Sequence, residues 1–205
     1  MSRLPHLAVL ACLAVGAACN RAVEDPAAET AFNALVKALD DRDSRALWAM
    51  ANDETRAYFG SLVRDIRAAT EAIDSRYPGE DRPAARKAVG ADILGPITTG
   101  EELFRSVLDP TRLVAPADPA ARKVAKIFVT GAETTVITEA GEMLGFTRDS
   151  ENRYRTGLFL KSFKEMPAIA TLEANLVTVR QNAAILAGPA DAAGTAPGPT
   201  AGGQK

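Results

Sequence analysis

Histidine occurs once in this chain of 205 residues, at His6, and cysteine twice, at Cys12 and Cys19. Everything after Cys19 therefore lacks both imidazole and thiol. Serine–histidine and cysteine–histidine catalysis have no base or nucleophile there, and imidazole or thiolate sites for zinc, copper or haem have no ligands. No serine is followed three residues on by lysine, and neither a GxxxxGK phosphate loop nor a GxGxxG turn occurs. A basic excess is missing too: the formal net charge is −2, and it becomes −3 if Arg3 is lost with a leader, so nothing electrostatic recommends a nucleic-acid partner. What is left is carboxylate, tyrosine or lysine chemistry, or none, with no cofactor and no metal expected.

Arg3 and the apolar run Leu7 to Val15 have the anatomy of a signal-peptide core, too short for a membrane-spanning helix. The run leads into Gly16-Ala17-Ala18-Cys19, which resembles the bacterial lipoprotein signal, in which signal peptidase cuts before a cysteine that carries lipid; the family usually has leucine where Gly16 stands. The resemblance implies that residues 1–18 are removed, that Cys19 is the lipid attachment, that 19–28 is a tether, and that the protein lies in the bacterial cell envelope on the outer or inner membrane, facing the periplasm. Gly16 and Ala18 also satisfy the small-x-small rule of ordinary secretory cleavage. Cys12 leaves with the leader, so a lone Cys19 has no intrachain partner for a disulfide. Asn20 to Ala28 would give a tether on the order of 30 Å when extended.

Beyond the tether, apolar residues recur at helical spacing. Asp25-Pro26 reads as a cap with proline in the first turn, and Phe32, Leu35, Val36 and Leu39 form one face of a helix ending at Asp40. Asp40-Asp41-Arg42-Asp43 is not continued by the glycine and distal glutamate of a calcium loop. Asp43 or Ser44 instead reads as the cap of a short helix carrying Leu47, Trp48 and Met50. Asp53 begins a longer helix, to about Arg76, with Tyr58, Phe59, Leu62, Val63, Ile66, Ala69 and Ile73 on one face. After the Tyr77-Pro78-Gly79 break, Pro83 opens a short helix through Val89. Thr98-Thr99-Gly100-Glu101 reads as a capping box for a helix holding Leu103, Phe104, Val107 and Leu108, stopped by Asp109-Pro110.

From Arg122 to Leu160 the hydrophobic period shortens from helical to strand-like. RKVAKIFVT, TTVIT, EMLGFTR and RYRTGLFL, broken by GAE, EAG and DSEN, read as an antiparallel meander. Ala125, Ile127 and Val129 share one face of its first strand; Lys126, Phe128 and Thr130 share the other. Asp149-Ser150-Glu151-Asn152 reads as a hairpin loop rather than a cation site. Its flanking Arg148, Arg153 and Arg155 suit a solvated sheet edge or, beside a membrane, anionic headgroups. Pro167 begins a helix to 187 whose Ile169, Leu172, Leu176, Val179, Ala183 and Leu186 make a seam of about two and a half heptads, short of a coiled coil. The seam either packs on its own domain or docks a protein partner or second copy. Gly188-Pro189 ends the helix, and 189–205, rich in Ala, Gly, Pro and Thr, reads as a disordered tail.

The expected fold class is α+β: a single domain over 29–188, with helices in 29–109 packed on a C-terminal meander in 122–160 and a long helix at 167–187. The opening helix, the aspartate-rich connection and the second helix with Leu47 and Trp48, followed by terminal strands, resemble the nuclear-transport-factor-two-like superfamily, the cone-shaped polyketide-cyclase-like α+β fold. The helices from Asp53 to Gly95 are longer than that family inserts, and its members lack the final long helix. The resemblance implies a cone-like sheet and a pocket between sheet and first helices, where relatives bind small apolar molecules and some isomerise, cyclise or hydrolyse them. Trp48, Tyr58, Phe146 and Tyr154 would line such a pocket, although aromatic residues at this spacing also serve as core. Two functions follow from these readings. One is a non-catalytic, membrane-anchored envelope lipoprotein that binds a protein or small-molecule partner. The other is a pocket enzyme or lipid carrier working through a carboxylate or tyrosine, recognisable by a buried acid of raised pKa.

Overall fold

The computed structural model describes residues 22–92, 94, 96–107 and 116–188. The signal segment, Cys19, the Asp109-Pro110 stop and the 189–205 tail lie outside the described residues. Within them the chain is α+β, with seven α-helices and one four-stranded antiparallel sheet in the order β1-β2-β3-β4.

Helix α1 (Pro26–Asp40) starts inside the segment read as tether, because the Asp25 carboxylate accepts from the backbone N–H groups of Ala27 and Ala28 at 3.1 and 3.0 Å. The same segment is joined to the sheet at Val23, whose N–H donates to the Ile127 carbonyl at 2.9 Å. Arg42, at φ 53, turns the chain, and Asp43 caps α2 (Ser44–Met50). The Asn52 side chain caps α3 (Asp53–Arg76), whose Phe59, Leu62, Val63, Ile66, Ala69 and Ile73 are buried at the expected spacing. Helix α4 (Arg82–Ala88) follows. Helix α5 (Gly100–Val107) is entered through a capping box one residue later than the sequence suggested. Thr99 Oγ1 accepts from the Glu102 N–H at 3.2 Å, and the Glu102 carboxylate accepts from the Thr98 and Thr99 N–H groups at 2.6 and 3.0 Å.

Gly100 sits where α5 meets the backbone of α3. A Cβ at this position would lie 2.7 Å from Gly60 N and 3.0 Å from the Phe59 carbonyl carbon, main-chain atoms that no rotamer change can move. Gly100→Ala is expected to destabilise the fold by about 1–3 kcal/mol. Gly60→Ala, whose Cβ meets only the end of Arg64 at 3.5 Å, should be neutral or mildly stabilising, as alanine is in a helix. Urea melts of the two variants check the contrast.

The sheet comprises β1 (Val124–Thr130), β2 (Glu133–Thr138), β3 (Met143–Arg148) and β4 (Tyr154–Arg155). Helix α1 covers its inner face, where Ile127, Thr134, Val136, Thr138, Phe146 and Tyr154 are buried. Two expectations are corrected here. A bulge between Val124 and Lys126 takes Ala125 out of the alternation expected of Ala125, Ile127 and Val129; Ile127 and Val129 stay in register on one face, opposite Val136 and Thr134, and of the three only Ile127 is buried. The fourth strand, read to Leu160, has two residues and is followed by helix α6 (Leu158–Lys164). After Arg155 the chain leaves β3. The Thr156 N–H donates to the Met50 carbonyl at 2.8 Å, and the Asn52 N–H donates to the Thr156 carbonyl at 3.0 Å. Phe159, Leu160 and Phe163 then fill the core at helical spacing, a short apolar run whose period alone does not distinguish strand from buried helix.

Helix α7 (Pro167–Ala187) buries Ile169, Leu176, Val179 and Ala183 in the hydrophobic core and packs on α3, α4 and α6. Its seam is thus used by its own domain. Polar contacts reinforce the packing: the Tyr58 hydroxyl donates to Glu173 at 2.7 Å, the Asn175 side-chain amide donates to the Ala88 carbonyl at 2.9 Å, and Arg180 pairs with Asp65. Val177, Ile185 and Leu186 remain exposed.

Candidate functional site

The four aromatic residues proposed as a pocket lining fall into two separate groups. Trp48 is half-buried against Phe104 and Phe59, with ring centroids 5.2 and 6.3 Å apart, and Arg56 lies over its ring. Tyr58 joins the same helical cluster through Phe59 and Phe163, at 5.7 and 6.0 Å. Burial, then the hydrogen bond to Glu173 and its charge, push the Tyr58 phenol well above its usual range, so it stays protonated. Phe146 and Tyr154 meet edge to face at 6.2 Å on the sheet. These are core contacts. Of the four, Phe146 also lines an open cleft.

Tyr154 belongs to a polar hub that fixes α1 to the end of the sheet. Its hydroxyl donates to Asp25 Oδ2 at 2.5 Å and accepts from Arg148 Nη2 at 2.6 Å, while Arg148 Nη2 also donates to Asp25 at 2.9 Å. Burial opposes ionisation of Asp25, but the Tyr154 hydroxyl, the Ala28 N–H and Arg148 together hold its pKa below the ordinary value. In the adjoining hairpin, Asp149 accepts from the N–H groups of Glu151 and Arg153, both at 2.9 Å, and from the Arg153 and Arg155 guanidinium groups at 3.0 and 2.8 Å. Those bonds, the Arg153 N–H first, hold the Asp149 carboxyl far below its usual range. Asp149 therefore serves as the brace of the loop, and Arg148, Arg153 and Arg155 each have carboxylate partners within the fold. The Asp40 to Asp43 cluster is used in the same way: Asp40 takes Arg122 through two bonds, Asp41 takes Lys37, and Asp43 caps α2.

Two clefts meet at the start of β3. The inner one, about 330 Å³, lies between α1, β3 and α6 and is walled by Phe32, Leu35, Val36, Leu39, Leu144 and Leu158, with Glu142 and Ser162 as polar members. The outer one, about 430 Å³, runs along β3 and is bounded by Glu133, Thr135, Gly145, Thr147, Gly157 and Lys161. Met143, Leu144 and Leu158 line both. Met143 is 75 % exposed and stands where the two clefts meet. No family model, curated protein or solved structure matches this chain. The clefts therefore have to be read from their own chemistry.

The two clefts differ little in kind from ordinary binding surfaces. The inner cleft has apolar walls with few polar groups, the usual make-up of a binding pocket, and the Ser162 hydroxyl donates to the Leu158 carbonyl at 3.2 Å. Among the described residues, the shifted carboxylates Asp25, Glu102 and Asp149 are displaced downward and sit in caps and loop braces away from these two clefts, Asp25 beside a separate one that Glu24 and Lys126 also line. Sequence reading passed over Met143, Gly145, Leu158 and Lys161. The available signal was Gly145: glycine inside a strand marks a place where something approaches the backbone.

Proposed function

We propose that this protein is a non-catalytic, lipid-anchored protein of the bacterial envelope that binds a partner at the paired clefts around Met143. The observation carrying the binding reading is that apolar walls from α1, β3 and α6 converge on an exposed Met143 while the displaced carboxylates are engaged elsewhere. The anchoring reading rests on the resemblance of Gly16-Ala17-Ala18-Cys19 to the lipoprotein signal. A cleft between the sheet and the first helix is also what the resemblance to the cone-shaped fold implies.

The bond from Val23 to Ile127 gives the anchoring reading a geometric consequence. The slack between Cys19 and the sheet is then only Asn20, Arg21 and Ala22, on the order of 10 Å extended. Such a tether would hold the domain against the membrane surface.

Cys19→Ser is expected to lose the lipid adduct while leaving the melting temperature of the folded domain unchanged. An adduct that persists in the variant would count against an anchor at Cys19. Replacing Met143 by a photo-crosslinking residue should give a discrete adduct in intact envelopes, whereas the same residue at Val177 should not. Equal labelling from both positions would count against the clefts as the binding face.

A further inference from the structure

The strand between the two clefts lacks a neighbour along most of its length. Strand β4 pairs with β3 only at Thr147 and Arg148. The Arg148 N–H donates to the Ala132 carbonyl on the β2 side, and the Glu142 carbonyl accepts from the Thr138 N–H on that same side. Backbone groups alternate sides along an antiparallel strand, so Leu144 and Phe146 also face β2, while Met143 and Gly145 turn their N–H and C=O groups outward. No strand covers those groups among the described residues. An open edge of this kind is a template for pairing with another chain.

We propose that the open edge of β3 accepts an extended peptide segment of a partner protein, which adds to the sheet as a strand alongside Met143 to Gly145. The inference rests on the partner-binding reading and specifies its mode. Three features of the site select this occupant. Side chains of an added strand alternate between the two faces of the sheet, and each face offers a cleft beside the edge, apolar within and mixed outside. The Lys161 ammonium borders the outer cleft without an ion-pair partner among the described residues, which suits an acidic side chain on the outward face. A Cβ built at Gly145 meets nothing within 4 Å, so the backbone there is open to approach. The chain's own 189–205 segment, with Pro189, Pro197 and Pro199 among glycines and alanines, has the wrong composition for a strand.

The test uses the full mature protein, lipid anchor included, in detergent micelles. The probe is an acetylated, amidated nonapeptide alternating threonine with valine or leucine and carrying one aspartate. Residue-resolved amide hydrogen exchange with the peptide at millimolar concentration should slow Met143 and Gly145 by about tenfold or more and leave Leu144 and Phe146 unchanged. Gly145→Pro removes one outward donor and should weaken binding at least about tenfold, whereas Gly145→Ala should bind as the native chain does. If Gly145→Pro does not fold, N-methylating the peptide at the residues facing β3 should abolish binding, and methylating the intervening residues should not. The inference is overturned by exchange at Met143 and Gly145 that ignores the peptide, by protection confined to α1 and α6, or by protection that follows protein concentration instead, the mark of self-pairing. A Met143 crosslink that persists without the alternating protection overturns strand addition and leaves the binding reading standing.

Discussion

Phe59→Ala should lower the stability of the domain by about 3–5 kcal/mol, the range for deleting a buried phenylalanine. Phe59 is 1 % exposed, and its ring touches those of Trp48, Tyr58, Phe104 and Phe163 with centroids between 4.6 and 6.3 Å. Those partners come from α2, α3, α5 and α6, so a single side chain joins four of the seven helices. With four rings fixed around it by separate elements, the site cannot collapse easily, which places the cost toward the upper end. For a domain of this size the loss corresponds to a fall in melting temperature on the order of 10 °C. Trp48 is the only tryptophan in the chain, so its fluorescence reports the loosened cluster directly. A shift of its emission to longer wavelength is expected in the native baseline. Leu186→Ala, at a side chain 49 % exposed, should change neither signal.

Asp25→Ala should cost about 2–4 kcal/mol, of which the lost helix cap accounts for roughly 1. The remainder comes from leaving the Tyr154 hydroxyl and the Arg148 guanidinium without their shared acceptor. Asp25→Asn keeps a capping oxygen and removes only the charge, so it should fall between the two. The pH dependence identifies the charged share. Because the folded-state pKa of Asp25 lies below its ordinary value, its stabilisation is complete above about pH 4 and is lost as pH falls through the folded pKa. The stability gap between the native chain and Asp25→Asn should therefore be constant from pH 7 to about 5 and close on further acidification. A gap that widened toward acid pH would mean that the carboxylate is not held in its charged form by this hub.

The positions of most elements could be read from local signals. Caps announced the helices: Asp25 before Pro26, Asp43 before α2, and, one residue out of place, the capping box read at Thr98 to Glu101 and found at Thr99 and Glu102 before α5. The period-two runs announced β1, β2 and β3. The failures are tertiary. Nothing local says that Thr156 will bond to Met50 and Asn52, residues about a hundred positions away, and it is that contact which cuts β4 short. The open edge of β3 follows from the same event, so the site was hidden for the same reason. The aromatic candidates Trp48, Tyr58, Phe146 and Tyr154 were chosen by residue type, and packing divides them between two clusters, with Phe146 also lining the outer cleft. Asp25 was legible as a cap but not as an acceptor for Tyr154, which lies 129 positions further along the chain.

The central claim, a lipid-anchored binding protein, is tested most directly by the intact mass of the mature chain purified from membranes. The account predicts a chain that begins at Cys19 and carries a lipid adduct on that residue, with the adduct absent from Cys19→Ser. A chain retaining residues 1–18, or one beginning at Cys19 with an unmodified thiol, would contradict it.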